Sequence, residues 1–192
     1  MGASERERQR LFIAVPLPRE LLGFVTAAQA LLPAVRGLRV LRPDQLHVTL
    51  AFIGEVDEAK GAAARAVVDS LPADMGGEGV VGRFLLLPSA TKARVVTLEV
   101  ADDQGVFAGL FAQVMGGLEA ARVMEREKRP FRPHLTIARL RTPGPVQPRS
   151  ENGQARFAVE SVCLYKSELK REGAVHTVLT RAVFEQENGA KA

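Results

Sequence analysis

Two of the three histidines in this 192-residue chain head the same tetrapeptide pattern, His47-Val48-Thr49-Leu50 and His134-Leu135-Thr136-Ile137. In an extended strand, residues i and i+2 project from one face and i+1 and i+3 from the other. Each motif therefore sets a histidine and a threonine side by side, while Val48, Leu50 and Phe52, or Leu135 and Ile137, turn to a core. Two such strands brought together line a cleft with two imidazoles and two hydroxyls. That set suits opening a phosphodiester without a metal, which needs a base for water, an acid for the departing oxygen and donors for the phosphoryl oxygens. An imidazole with an unperturbed pKa of about 6.5 can serve as either acid or base near neutrality. Threonine hydroxyls can donate to the nonbridging oxygens as charge builds on them. A lone strand histidine reads as a satisfied structural residue, and repetition of the whole pattern reverses that reading. His176 has no threonine two positions on, and reads as a structural or rim residue.

The elements that must position these groups follow from periodicity and turn residues. Leu11 to Val15 is an apolar strand ended by Pro16 and Pro18, and Leu21, Leu22, Val25, Ala28 and Leu32 recur at helical spacing over residues 19–32. Strands follow over 38–41 and 46–53, with Gly54 marking an end, and Asp57 caps a helix running to about Ser70. Gly76-Gly77-Glu78-Gly79 reads as a plain loop. Strands are expected over 80–87 and 94–100, and Asp102 or Asp103 caps a helix to about Leu118. The last stretch reads as a strand over 134–140, a loop at Thr142-Pro143-Gly144-Pro145, and a hairpin of 157–165 with 175–184 around Arg171-Glu172-Gly173. The expectation is one α+β domain over 1–192. It has two related lobes of antiparallel sheet with outer helices, a pseudo-two-fold, one motif per lobe facing a central cleft, and a frayed tail from 185.

Composition narrows the partner. A net charge of +4 and a pI of about 9.6 favour an anionic ligand. Arg10, Arg36, Arg39, Arg42, Lys128, Arg129, Arg132 and Arg141 flank the motif strands, where they either guide an RNA backbone or form a solvated basic surface. The single cysteine, Cys163, permits neither an internal disulfide nor a thiolate zinc cluster. No histidine pair has metal-ligand spacing, and a metal at His47 and His134 would need a third ligand such as Asp44, so no metal or other cofactor is expected. With no apolar run long enough for a bilayer and a charged start from Ser4 to Arg8, the chain reads as cytoplasmic, away from membranes, and monomeric.

The paired motifs resemble the 2H phosphoesterase superfamily, and within it the LigT-like RNA 2′,3′-cyclic phosphodiesterases. The likeness runs from Arg10-Leu11-Phe12-Ile13-Ala14 through Pro133-His134-Leu135-Thr136-Ile137-Ala138-Arg139 to the C-terminal hairpin. It implies hydrolysis of an RNA 2′,3′-cyclic phosphate end to a 2′-phosphomonoester, with His47 as proton donor and His134 as proton acceptor; by microscopic reversibility the same site could also act as a 2′-5′ RNA ligase. It also implies that Thr49, Thr136 and Arg139 contact the substrate and that Phe12 stacks on the terminal base. Strict alternation puts Arg139 on the face opposite His134, so a bulge must redirect it. Where related sequences read G-x-x-Y, this one has Gly173-Ala174-Val175-His176. The alternatives are a phosphodiesterase for small cyclic nucleotides and a non-catalytic nucleotide- or RNA-binding module.

Overall fold

Apolar residues on both faces make β1 (Gln9–Pro16) a central strand, with Leu11 to Val15 all buried. The computed structural model describes residues 8–126, 129–170 and 173–185. Most of the charged N-terminal run, Lys128, Arg171, Glu172 and the tail beyond Glu185 lie outside these. The remaining strands are β2 (Leu38–Val40), β3 (His47–Val56), β4 (Gly77–Leu87), β5 (Ala93–Ala101), β6 (His134–Gly144), β7 (Ala155–Val159), β8 (Ser161–Lys170) and β9 (Gly173–Val183). They form one antiparallel sheet in the order β7-β4-β5-β6-β3-β1-β8-β9, with β2 pairing β6 off that path. The motif strands β3 and β6 are therefore neighbours at the middle of the sheet. Their ladder is short, a single pair at Val48 and Leu135, and further along β6 its partner is β2 instead. The two central strands thus part company just beyond the motifs.

Helices α1 (Leu22–Ala30, led by a 3₁₀ turn over Arg19–Leu21), α2 (Glu58–Asp69) and α3 (Val106–Ala120) cover one face. Phe107, Leu110, Val114, Met115 and Leu118 of α3 fall at helical spacing and are all buried, joining Val48, Leu50, Leu135 and Ile137 in the main core. The expected caps form: the Asp57 carboxylate accepts from Lys60 N at 2.9 Å, and Asp102 accepts from Phe107 N and Ala108 N at 2.9 and 2.8 Å. The other face of β1 and β8 holds a smaller cluster of Phe12, Ala14, Cys163 and Tyr165.

Four expectations are corrected. The strand opening at His47 continues past Gly54, which takes a positive φ of 82° within it, to Val56. Likewise β6 runs on through Thr142 and Pro143, and Gly144 pairs with Ala93. The stretch 157–165 is not one strand: it breaks at Glu160, and β7 crosses to the far edge to pair with β4. Gly77 and Gly79 belong to β4 rather than to a loop, because the start of α3 lies directly on them. A Cβ at Gly79 would stand 2.7 Å from Phe107 Cε2 and 2.9 Å from Phe157 Cζ. Gly79→Ala should therefore cost about 1–3 kcal/mol. Gly116→Ala, with nothing within 4 Å of the new Cβ on α3, should add up to about 1 kcal/mol. Urea midpoints of the two variants should move in opposite directions, and parallel movement would contradict this packing.

Candidate active site

Extending the Val48–Leu135 register by one residue each way sets His47 across from Thr136 and Thr49 across from His134. Each imidazole then faces the other strand's hydroxyl. The two histidines stand as diagonal neighbours, roughly 7–8 Å apart by ordinary sheet geometry. Val48, Leu50, Leu135 and Ile137 point into the core at 3 % exposure or less, as the motif spacing requires.

His134 Nδ1 lies 2.7 Å from the Arg132 carbonyl oxygen, which can only accept, so Nδ1 carries the hydrogen and the neutral ring leaves Nε2 with a lone pair. At His47 the Gln45 backbone favours the protonated ring, against the larger effect of burial. Gln45 is itself 4 % exposed and fixed from two sides: its Nε2 donates to Ala174 O at 2.8 Å and its Oε1 accepts from Arg42 N at 3.1 Å. It thereby ties the turn before β3 to β9.

His47 packs in a group of four rings, 4.7 Å from Phe12 and 5.5 Å from His176, with Tyr165 at 6.0 Å. Burial, followed by the nearby charges of His176 and Arg139, pushes its pKa down to about 3, so the imidazole on its own is neutral at neutral pH. A cavity of about 640 Å³ opens beside it, lined among others by Thr49, Thr136, Arg139, Arg10, Phe52 and His176. His134 is not part of that lining, but its charge bears on His47.

The same irregularity follows both motifs. Opposite β1, Leu50 is the unpaired extra residue between Thr49 and Ala51; opposite β5, Ile137 is the extra residue between Thr136 and Ala138. These bulges reset the alternation, so that Leu50 and Ala51 are both buried, as are Ile137 and Ala138. The bulge expected for Arg139 is thus present, and Arg139 lines the cavity. Its twin overturns the core placement of Phe52, which is 52 % exposed and lies in the cavity wall with the Arg10 guanidinium 4.9 Å from its ring centre. Phe12, expected to stack on a base, is 3 % exposed and enclosed by His47, Tyr165 and His176, the last two each 4.9 Å away. Phe12 nonetheless lines the same cavity, and its ring packs against the His47 imidazole.

His176 belongs to the site rather than to a distant rim. The β8–β9 register pairs it with Ser167, and its Nδ1 is buried without a hydrogen-bond partner. Its pKa is lowered, chiefly by burial. Only the hairpin register, invisible in the motif spacing, brings it there. Asp44 is engaged by Arg42 through contacts of 3.1 and 3.0 Å, which hold its carboxyl below the usual range. Among the described residues no three His, Cys, Asp or Glu side chains converge as a metal-binding group. No helix among them is long and apolar enough to cross a membrane.

A curled antiparallel sheet backed by three helices is the LigT-like α+β fold. Residues 17–171 match the 2′-5′ RNA ligase superfamily, and the chain belongs to that family. It is 33 % identical over 193 residues to an RNA 2′,3′-cyclic phosphodiesterase of Thermus thermophilus, covering 94 % of this chain and 92 % of the relative. An Escherichia coli protein of the same description is 29 % identical, covering 94 % and 99 %. Among solved structures, E. coli LigT complexed with 3′-AMP superposes with a TM-score of 0.76 at 27 % identity, covering 94 % of this chain and 100 % of that one.

Proposed function

We propose that this protein hydrolyses the 2′,3′-cyclic phosphate at an RNA 3′ end to a 2′-phosphomonoester, by acid–base catalysis between His47 and His134 and without a metal. The observation that carries the reading is the repeated histidine–threonine pair on the neighbouring strands β3 and β6, with His134 oriented by the Arg132 carbonyl and His47 lining a cavity that also holds arginines. Relatives described as RNA 2′,3′-cyclic phosphodiesterases support the substrate. The two halves of the sheet, each ending at the centre in a motif strand with its bulge, are the related lobes of one domain.

Water enters beside His134, and Nε2 takes its proton as the new O–P bond forms. The bond from phosphorus to the 3′ oxygen breaks in line, and His47 gives that oxygen a proton, leaving a 3′-hydroxyl and a 2′-phosphate. Thr49, Thr136 and Arg139 hold the nonbridging oxygens as negative charge gathers on them. His47 must be protonated to act so, and an anionic phosphate set among its cationic neighbours supplies the field that lets it bind a proton. With a 5′-hydroxyl in place of water, the same step joins two RNA ends through a 2′-5′ linkage.

A second reading exchanges the roles, and the neutrality of His47 on its own favours it: His47 would take the proton from water and His134 would protonate the leaving oxygen.

Purified protein in excess EDTA should open the cyclic phosphate of a short RNA, and mass spectrometry with phosphatase mapping should find the phosphate on the 2′ oxygen. Activity that disappears with EDTA and returns only with a divalent cation would overturn the metal-independent reading. A 3′-phosphate product would mean that the 2′ oxygen departs and would overturn the assignment of the 3′ oxygen as the leaving group.

A further inference from the structure

The acid–base step uses two histidines, and the third, His176, stands in the same cavity wall as His47, Thr49, Thr136 and Arg139. It comes from β9, opposite Ser167 of β8, and its ring meets the His47 imidazole edge to face at 5.5 Å and 83°, with Phe12 at 4.9 Å and Tyr165 at 6.4 Å. Asp44 bears on it as an anion and Arg10, Arg42 and Arg139 as cations. Its two nitrogens differ. Nδ1 is buried with no hydrogen-bond partner among the described residues, so Nε2 is the nitrogen that can meet a ligand in the cavity. A neutral imidazole carries one hydrogen and a charged one carries two. Charging His176 would force a hydrogen onto Nδ1, where nothing accepts it. It would also set a second positive ring 5.5 Å from His47, which must itself hold a proton during the reaction whichever way the acid and base roles fall. We infer that His176 is a phosphate-contacting residue that stays neutral, keeps its hydrogen on Nε2 and donates it to a nonbridging oxygen of the phosphate held between Thr49 and Thr136. This rests on the phosphate reading of the cavity given above. The site thereby gains a donor beside His47 without adding a charge that would oppose the His47 proton, as an arginine or lysine at that position would.

Binding of inorganic phosphate, measured by calorimetry at pH 7, tests the contact apart from turnover. His176→Gln carries an amide N–H close to the place of Nε2, His176→Asn carries it near the place of Nδ1, and His176→Phe carries none. The glutamine variant should hold phosphate within about threefold of the parent, and the asparagine and phenylalanine variants should each weaken it by roughly 10- to 150-fold, the worth of a hydrogen bond to a charged group. Equal affinities in all four proteins, a glutamine variant as weak as the phenylalanine one, an asparagine variant as tight as the glutamine one, or a parent that binds no phosphate overturns the contact. A second measurement needs no variant. In the intact protein saturated with phosphate at pH 7, proton–nitrogen correlation spectra of the histidine rings should show His176 with a bare Nδ1 and a protonated Nε2, and a doubly protonated ring or a hydrogen on Nδ1 overturns the neutral donor. The expected pattern in a protein that opens no cyclic phosphate would keep the contact and remove the catalytic reading alone, and turnover alongside equal phosphate affinities would do the reverse.

Discussion

His134→Ala should lower the rate of cyclic-phosphate opening by roughly 10²- to 10⁴-fold, and His47→Ala should do the same, the range expected when a general base or acid is deleted. The two losses differ in kind. A substrate carrying sulfur in place of the 3′ leaving oxygen departs without needing a proton, so it should restore most of the rate to His47→Ala and none to His134→Ala. Rescue of His134→Ala instead would exchange the acid and base assignments, and rates within a few-fold of the parent in both variants would remove the mechanism. The structure gives a reason to expect clean effects at His134. Its ring is oriented by the Arg132 carbonyl at 2.7 Å rather than by another side chain, so deleting the imidazole frees one exposed main-chain carbonyl and takes no hydrogen bond from another side chain.

The second large effect is on folding. His47 is held near a pKa of about 3 in the native protein, against 6.5 in an unfolded chain. Below pH 6.5 the unfolded state binds a proton that the native state refuses, so native stability is lost as pH falls from 6.5 toward 3. At about 1.36 kcal/mol per pH unit the gap amounts to roughly 4–5 kcal/mol. His176, lowered in the same direction, adds to it. Chemical denaturation of the parent and of His47→Gln at pH 7 and pH 4 measures this. The variant should lose markedly less stability on acidification, and equal losses in the two proteins would mean that His47 is not held neutral by its surroundings.

The two motif strands were more legible in the chain than the rest of the scaffold. A repeated tetrapeptide at strand period named His47, Thr49, His134 and Thr136, and its inward residues Val48, Leu50, Leu135 and Ile137 are where alternation puts them. Asp57 and Asp102 announced their helices because a cap is a local interaction between near neighbours. What stayed hidden depends on contacts between distant residues. Nothing in Thr49-Leu50-Ala51-Phe52 declares an unpaired residue, so the outward turn of Phe52 emerges only once β1 lies alongside. Gly77 and Gly79 carry the composition of a loop, yet Phe107 and Phe157 press on a strand that only glycine allows so close. His176 comes to His47 through the pairing of β8 with β9, and Gln45 matters through its bond to Ala174, far along the chain.

The twin bulges place Phe52 and Arg139 at matching steps beyond the two motifs, one after Leu50-Ala51 and the other after Ile137-Ala138. An acid–base pair that is nearly its own mirror image has no preferred direction, and a nucleotide could in principle lie in it either way round. The residues one turn of the pleat farther out differ: a phenylalanine ring on one bank and a guanidinium on the other. Any preference for one direction over the other has to come from such residues, since the two motifs themselves are alike.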